Sequence, residues 1–146
     1  PLRRQRQMCI RDRAAVNALG DVLDADGRIV AGARGADGSF LDGSRLLRGA
    51  QPEDLSLYGN TTLCVVATDA PATQRDLQRM VRMATGAMSR RIRPVNTPFD
   101  GDVVFGVAPA RHERALPDRT VMTLGDAARE ALEEAITRAV LPESRR

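Results

Sequence analysis

A chain of 146 residues has room for one modest domain, and 42% hydrophobic content with no Trp, one Tyr and three Phe leaves aliphatic side chains and Met to fill its core. The formal charge of +3 is concentrated in residues 1–13, which hold five Arg and one Asp, so 17 basic and 18 acidic residues remain elsewhere and no basic nucleic-acid surface is implied. No apolar run approaches the roughly 20 residues that span a bilayer, and the two cysteines, Cys9 and Cys64, show no zinc or disulfide spacing, which points to a cytoplasmic protein without membrane, metal or cofactor.

The leader PLRRQRQMCIRDR is too basic and too poor in apolar residues for a secretory signal. RQRQMCIRDR resembles a translated sequencing-adapter tail, so residues 1–13 are read as non-native and the fold is expected to begin near Ala14. AAVNALGDVLD (14–24) reads as a strand running out to a turn at Asp24-Ala25-Asp26-Gly27. RIVAGAR (28–34) returns as a second strand, which predicts a hairpin. Residues 35–58 hold Gly35, Gly38, Gly43, Gly49 and Pro52 with few apolar clusters, and read as a long exposed loop. Such a loop suits a segment that must be cut at its end.

TTLCVVATD (61–69) is rich in β-branched residues and apolar almost throughout, which predicts a strand buried on both faces with Cys64 a buried thiol. Pro71 ends it. Thr73 followed by Asp76 reads as a capping box. Leu77, Met80, Val81, Ala84, Ala87 and Met88 then keep helical spacing, which predicts a helix over about 73–91 with methionine as core filler. RPVNTPFDG (93–101) reads as loop, DVVFGVAP (102–109) as strand and 110–121 as loop. Thr123 and Asp126 repeat the capping pattern before a helix that carries Ala128, Leu132 and Ile136 to about Leu141, where Pro142 stops it. The order β-β-loop-β-α-β-α is a mixed α/β layer structure, with each helix expected to cover a sheet face.

GNTTL (59–63) sets a Thr pair at the mouth of the apolar strand. It is either a plain loop-to-strand junction or an N-terminal nucleophile. Cutting the Asn60–Thr61 bond would give Thr61 an α-amine, of ordinary pKa about 8, beside its own hydroxyl. That amine can take the hydroxyl proton without a histidine. In DGD (100–102), carboxylates at i and i+2 of an extended chain share a side. They read either as solvated turn acids or as a pair that orients amine and hydroxyl. Asn17, mid-strand among apolar neighbours, either bonds nearby backbone or donates to an oxyanion. His112, the only histidine, reads as a solvated loop residue, which leaves no Ser-His-Asp triad or His-rich metal site.

AAVNALGDVLDADGRIVAGAR (14–34), GNTTLCVVATDA (59–70) and RRIRPVNTPFDGDVVFGVA (90–108), in this order and spacing, resemble the C-terminal half of the DmpA-like family of N-terminal-nucleophile hydrolases. That family includes aminopeptidases, β-aminopeptidases and nylon-oligomer hydrolases. The resemblance covers most of residues 14–141. It implies self-cleavage between Asn60 and Thr61, with 14–60 ending a large subunit and 61–146 forming a small one. It further implies that Thr61 is the nucleophile, that Asp100 and Asp102 hold it, and that Asn17 supports the oxyanion. The implied fold is part of an αββα four-layer sandwich, completed by the missing N-terminal half of the same precursor and associated into a homo-oligomer. The implied substrate is a peptide or a small amide or ester. One departure stands out: nylon-hydrolase-like members use an upstream lysine, and this chain contains no Lys. The piece alone is therefore expected to be inactive. An ornithine-acetyltransferase-like enzyme and a non-cleaving scaffold of the same fold are the rival readings; DGD with GNTTL favours the hydrolase.

Overall fold

A computed structural model describes residues 9–49, 59–109 and 112–141. In chain order the elements are β1 (Ile10–Asn17), β2 (Asp21–Leu23), β3 (Ile29–Ala31), α1 (Gly43–Gly49), β4 (Thr61–Thr68), α2 (Gln74–Ala84), α3 (Gly86–Arg91), β5 (Ile92–Arg93), β6 (Val103–Val107) and α4 (Asp118–Val140). They form a mixed α/β layer structure with two three-stranded sheets, ordered β1-β4-β6 and β3-β2-β5. In the first sheet β4 is central, antiparallel to β1 and parallel to β6.

The apolar run of β4 divides its side chains between two unlike faces. Thr62, Cys64, Val66 and Thr68 are buried beneath α2, α3 and α4. Cys64 and Val66 join Met88, Leu132 and Ile136 in one core cluster. Truncating a fully buried Leu such as Leu132 to Ala costs about 2–5 kcal/mol. Burial pushes the Cys64 thiol up to about 11, the behaviour of an inert buried sulfur. The opposite face is open among the described residues: Leu63 is 46% exposed and Phe105 is 53% exposed, with Val65 and Val107 beside them. Among the described residues β4 is thus buried on one face only, against the expectation of burial on both. Each helix does cover a sheet face, as expected. Both α2 and α4 lie on the same face, α2 packed on β6 and α4 on β1. α2 approaches β6 closely because Gly106 has no side chain; a Cβ there would lie 2.5 Å from Val81.

Four further boundaries differ from expectation. β1 begins at Ile10, inside the segment set aside as leader, and Ile10–Arg13 pair in register with Val65–Thr68. The strand expected over 14–24 is broken at Ala18-Leu19-Gly20, so its halves lie in different sheets; the hairpin itself is β2–β3. The loop expected over 35–58 contains α1, and Arg34 pairs with Phe40 across a tight turn, its guanidinium 4.1 Å from the ring centre. Residues 50–58 of that loop, and the Pro142 stop, lie outside the described residues. α4 starts at Asp118 after Pro117, so Thr123 is not its cap. By contrast, the capping box at Thr73 and Asp76 is present, and the helix beyond it breaks only at Thr85.

The break at Gly20 positions the site. A Cβ at Gly20 would lie 2.1 Å from the Pro94 carbonyl oxygen, a backbone approach only glycine permits. β2 then pairs with β5, Asp21 opposite Arg93. The end of β1 is thereby tied to the loop that leads through Asn96 and Thr97 to Asp100.

Candidate active site

Thr61 opens β4 directly opposite Asn17, the last residue of β1. Opposed residues of an antiparallel pair share a face. That face is the open one. On the other side of β4, Asn60 bridges Asp100 and Leu63 pairs with Val103. This register sets Thr61 against Gly101 and Thr62 against Asp102. Asn17, Thr61, Asp100 and Asp102, distant in sequence, therefore meet at one end of one sheet.

The hydrogen bonds centre on the peptide preceding Thr61. Thr61 Oγ1 donates to the Asn60 carbonyl oxygen at 2.5 Å. The Gly101 N–H donates to the same oxygen at 3.2 Å. Asn17 Nδ2 donates to the Gly59 carbonyl oxygen at 2.8 Å. Gly59 has φ +88°, a left-handed conformation that favours glycine, and it turns the chain into the strand.

The two carboxylates grip backbone. Asp102 Oδ1 accepts from the Thr62 N–H at 2.7 Å, and its Oδ2 accepts from the Asn96 N–H at 3.1 Å. Asp100 Oδ2 accepts from the Thr97 hydroxyl at 2.6 Å and the Thr97 N–H at 3.2 Å. Asp100 Oδ1 is buried with no hydrogen-bond partner among the described residues. A buried acceptor left unsatisfied costs about 1–3 kcal/mol, so this atom is an anomaly at the place where chemistry is expected. His112 lies at the opposite end of β4, beside the start of α2. Among the described residues no group of His, Cys, Asp and Glu is arranged to hold a metal ion.

The model of peptidase family S58 matches residues 6–144. The chain belongs to peptidase family S58. An uncharacterized aminopeptidase of Mycobacterium leprae is 32% identical over 146 aligned positions, which cover 86% of this chain and 38% of that protein. Among solved structures, the PH0078 protein of Pyrococcus horikoshii superimposes with TM-score 0.55 at 22% identity over 90% of this chain and 38% of its own. The L-aminopeptidase D-Ala-esterase/amidase of Ochrobactrum anthropi, described as a variant of the Ntn hydrolase fold, gives TM-score 0.50 at 21% identity over 89% of this chain and 39% of its own. The α/β fold is thus that of the DmpA-like proteins, and the chain spans about two fifths of the length of the relatives it matches. The match to the S58 family begins inside the segment set aside as leader, as β1 does.

Sequence reading missed Gly101 and Thr97. Gly101 had a signal: a glycine between two acids at the start of a strand marks a close backbone approach. Thr97 had another, the same spacing to Asp100 that Thr73 keeps to Asp76.

Proposed function

We propose that the full-length protein is a self-processing aminopeptidase or amidohydrolase whose nucleophile is Thr61, released by cleavage of the Asn60–Thr61 bond. The observation that carries this reading is the Thr61 hydroxyl held on the carbonyl of the preceding peptide, across from Asn17. Thr61 Oγ attacks the Asn60 carbonyl carbon, the C–N bond breaks, and the hydroxyl proton ends on the departing nitrogen. Water then hydrolyses the Thr61 ester and Asn60 leaves as a carboxylic acid.

The product has an α-amine at Thr61, the base that a chain without a nearby histidine needs. Asp100 Oδ1 is the acceptor for that amine once it is protonated. Asp102 holds the neighbouring Thr62 backbone in place. Departure of Gly59 and Asn60 removes the acceptor that Asn17 Nδ2 engages, so the amide can turn to a substrate oxyanion. Turnover then repeats the attack on an N-terminal amino acid amide or ester, with water as the final acceptor. Membership of a peptidase family favours this over the ornithine-acetyltransferase-like alternative.

The open face bearing Leu63, Val65, Phe105 and Val107 is the surface on which the remainder of the precursor packs, completing four layers. Without that remainder and any lysine it carries, the chain alone turns over no substrate. The protein is expected to act in the cytoplasm as a homo-oligomer. Separately, no helix among the described residues is long and apolar enough to cross a membrane.

Intact mass of the full-length product tests the reading. A fragment starting at Thr61 is expected, and Thr61→Ala abolishes both that fragment and hydrolysis of aminoacyl p-nitroanilides. Cleavage that persists in Thr61→Ala shows that the nucleophile is another residue.

A further inference from the structure

Among the described residues the Asn60 carbonyl oxygen accepts from the Thr61 hydroxyl and the Gly101 N–H, and of these two only the second can serve throughout the reaction. The Thr61 hydroxyl, at 2.5 Å, loses its proton as it attacks. The Gly101 N–H, at 3.2 Å, is fixed backbone at the head of β6. Asn17 is occupied one residue upstream, on Gly59. The uncut chain therefore directs a different donor to the bond to be cut than the side-chain amide expected to serve external substrate.

The space around Thr61 adds a second observation. A Cβ at Gly101 would lie 2.8 Å from Thr61 Oγ1 and 3.5 Å from its methyl group. Gly101 does not have a left-handed φ. Close approach, rather than backbone conformation, is what requires glycine here. An alanine would push the Thr61 hydroxyl off the Asn60 carbonyl.

We propose that Gly101 is the oxyanion donor of self-cleavage, and that its missing side chain fixes the Thr61 rotamer that attacks. The proposal rests on the self-cleavage reading above. As Thr61 Oγ bonds to the Asn60 carbon, the carbonyl π electrons move to oxygen, where the Gly101 N–H receives the charge. Collapse restores the carbonyl as an ester, breaks the C–N bond and leaves the proton on the Thr61 nitrogen. Fixed donors of this kind act most strongly where charge develops in a site screened from water.

The test uses the full-length precursor with Gly101 replaced by glycolic acid, which exchanges its N–H for an oxygen and adds no side chain. Removing one oxyanion donor is expected to slow appearance of the Thr61 fragment about 10²–10³-fold, with the thermal midpoint preserved. Hydroxylamine, which resolves a Thr61 ester, leaves that rate slow because the acyl shift has become limiting. Gly101→Ala is expected to slow cleavage as well, again without rescue. Cleavage of the glycolate variant at the wild-type rate overturns the donor role, and so does full rescue by hydroxylamine. Wild-type cleavage by Gly101→Ala overturns the rotamer role. A wild-type chain that stays uncut, or a Thr61→Ala chain that still cleaves, instead removes the underlying reading and this inference with it.

Discussion

Three segments of the chain share the pattern Thr-x-x-Asp, and the fold uses each differently. At Thr73 and Asp76 it caps α2: Asp76 Oδ2 accepts from the Thr73 N–H, the Thr73 hydroxyl and the Leu116 N–H. At Thr97 and Asp100 the same two Thr donors bind the same carboxylate oxygen, but the chain beyond is a strand. There the second oxygen is buried without a partner among the described residues. At Thr123 and Asp126 the pattern lies inside α4, where the Thr hydroxyl donates to the Arg119 carbonyl and Asp126 pairs with Arg129. A local motif specifies its own short-range bonds at most. Its tertiary surroundings decide whether those bonds start a helix, hold a turn ahead of a strand or do not form. The leftover acceptor at Asp100 is what separates this copy of the pattern from the cap at Asp76, and it is the feature on which the proposed role of Asp100 rests.

Substitutions can break this comparison. The largest effect is expected at Asp100. Asp100→Asn keeps the shape but removes the charged acceptor, so self-cleavage and p-nitroanilide turnover are expected to fall about 10²-fold, the loss typical of a misplaced reacting group. Equilibrium denaturation should show little loss of stability, and an unfolded variant would make Asp100 a structural residue like Asp76.

Asp76→Ala should do the reverse. It deletes one side of a capping box and strands the Leu116 N–H, for a loss of about 2–3 kcal/mol of stability. Cleavage well below the unfolding temperature is expected to be unchanged. Burial alone would raise the Asp76 pKa, but hydrogen bonds from Thr73 and Leu116 outweigh it and hold the carboxyl below its ordinary 3.8. A carboxyl lowered on folding stabilises fully above the unfolded value, and this contribution is lost as pH falls through the folded value. The deficit of Asp76→Ala in denaturant titrations should therefore narrow below about pH 3.8.

The smallest effect is expected at the third copy. Thr123 is exposed in the body of α4, and Thr123→Ala should change stability by no more than about 0.5 kcal/mol, with helix propensity favouring Ala. A loss as large as that of Asp76→Ala would mean that Thr123 caps a helix after all.

Much of the fold was legible where local chemistry decides alone. The capping box at Thr73 and the hairpin turn at Asp24–Gly27 are set by neighbours within a few residues. The candidate site was legible as a set of residues, since GNTTL, DGD and Asn17 stand out against their surroundings. Its wiring was not. Asn17 engages Gly59, Asp102 engages the Thr62 N–H, and Gly101 lies against Thr61. Each depends on the register of three strands that are far apart in the chain.

Composition and periodicity alone determined that this chain builds an α/β layer with an aliphatic core, and that Thr61 and the paired acids stand at the start of strands; Asn17, expected mid-strand, ends β1 only in the fold. Only the tertiary structure decided which face of β4 is covered, where the first strand breaks and which donor reaches the Asn60 carbonyl. The physical reason is range. Helix caps and turns are closed by bonds a few residues long, whereas a sheet assigns partners across 40 residues or more, and a shift of one residue would turn Thr61 to the other face.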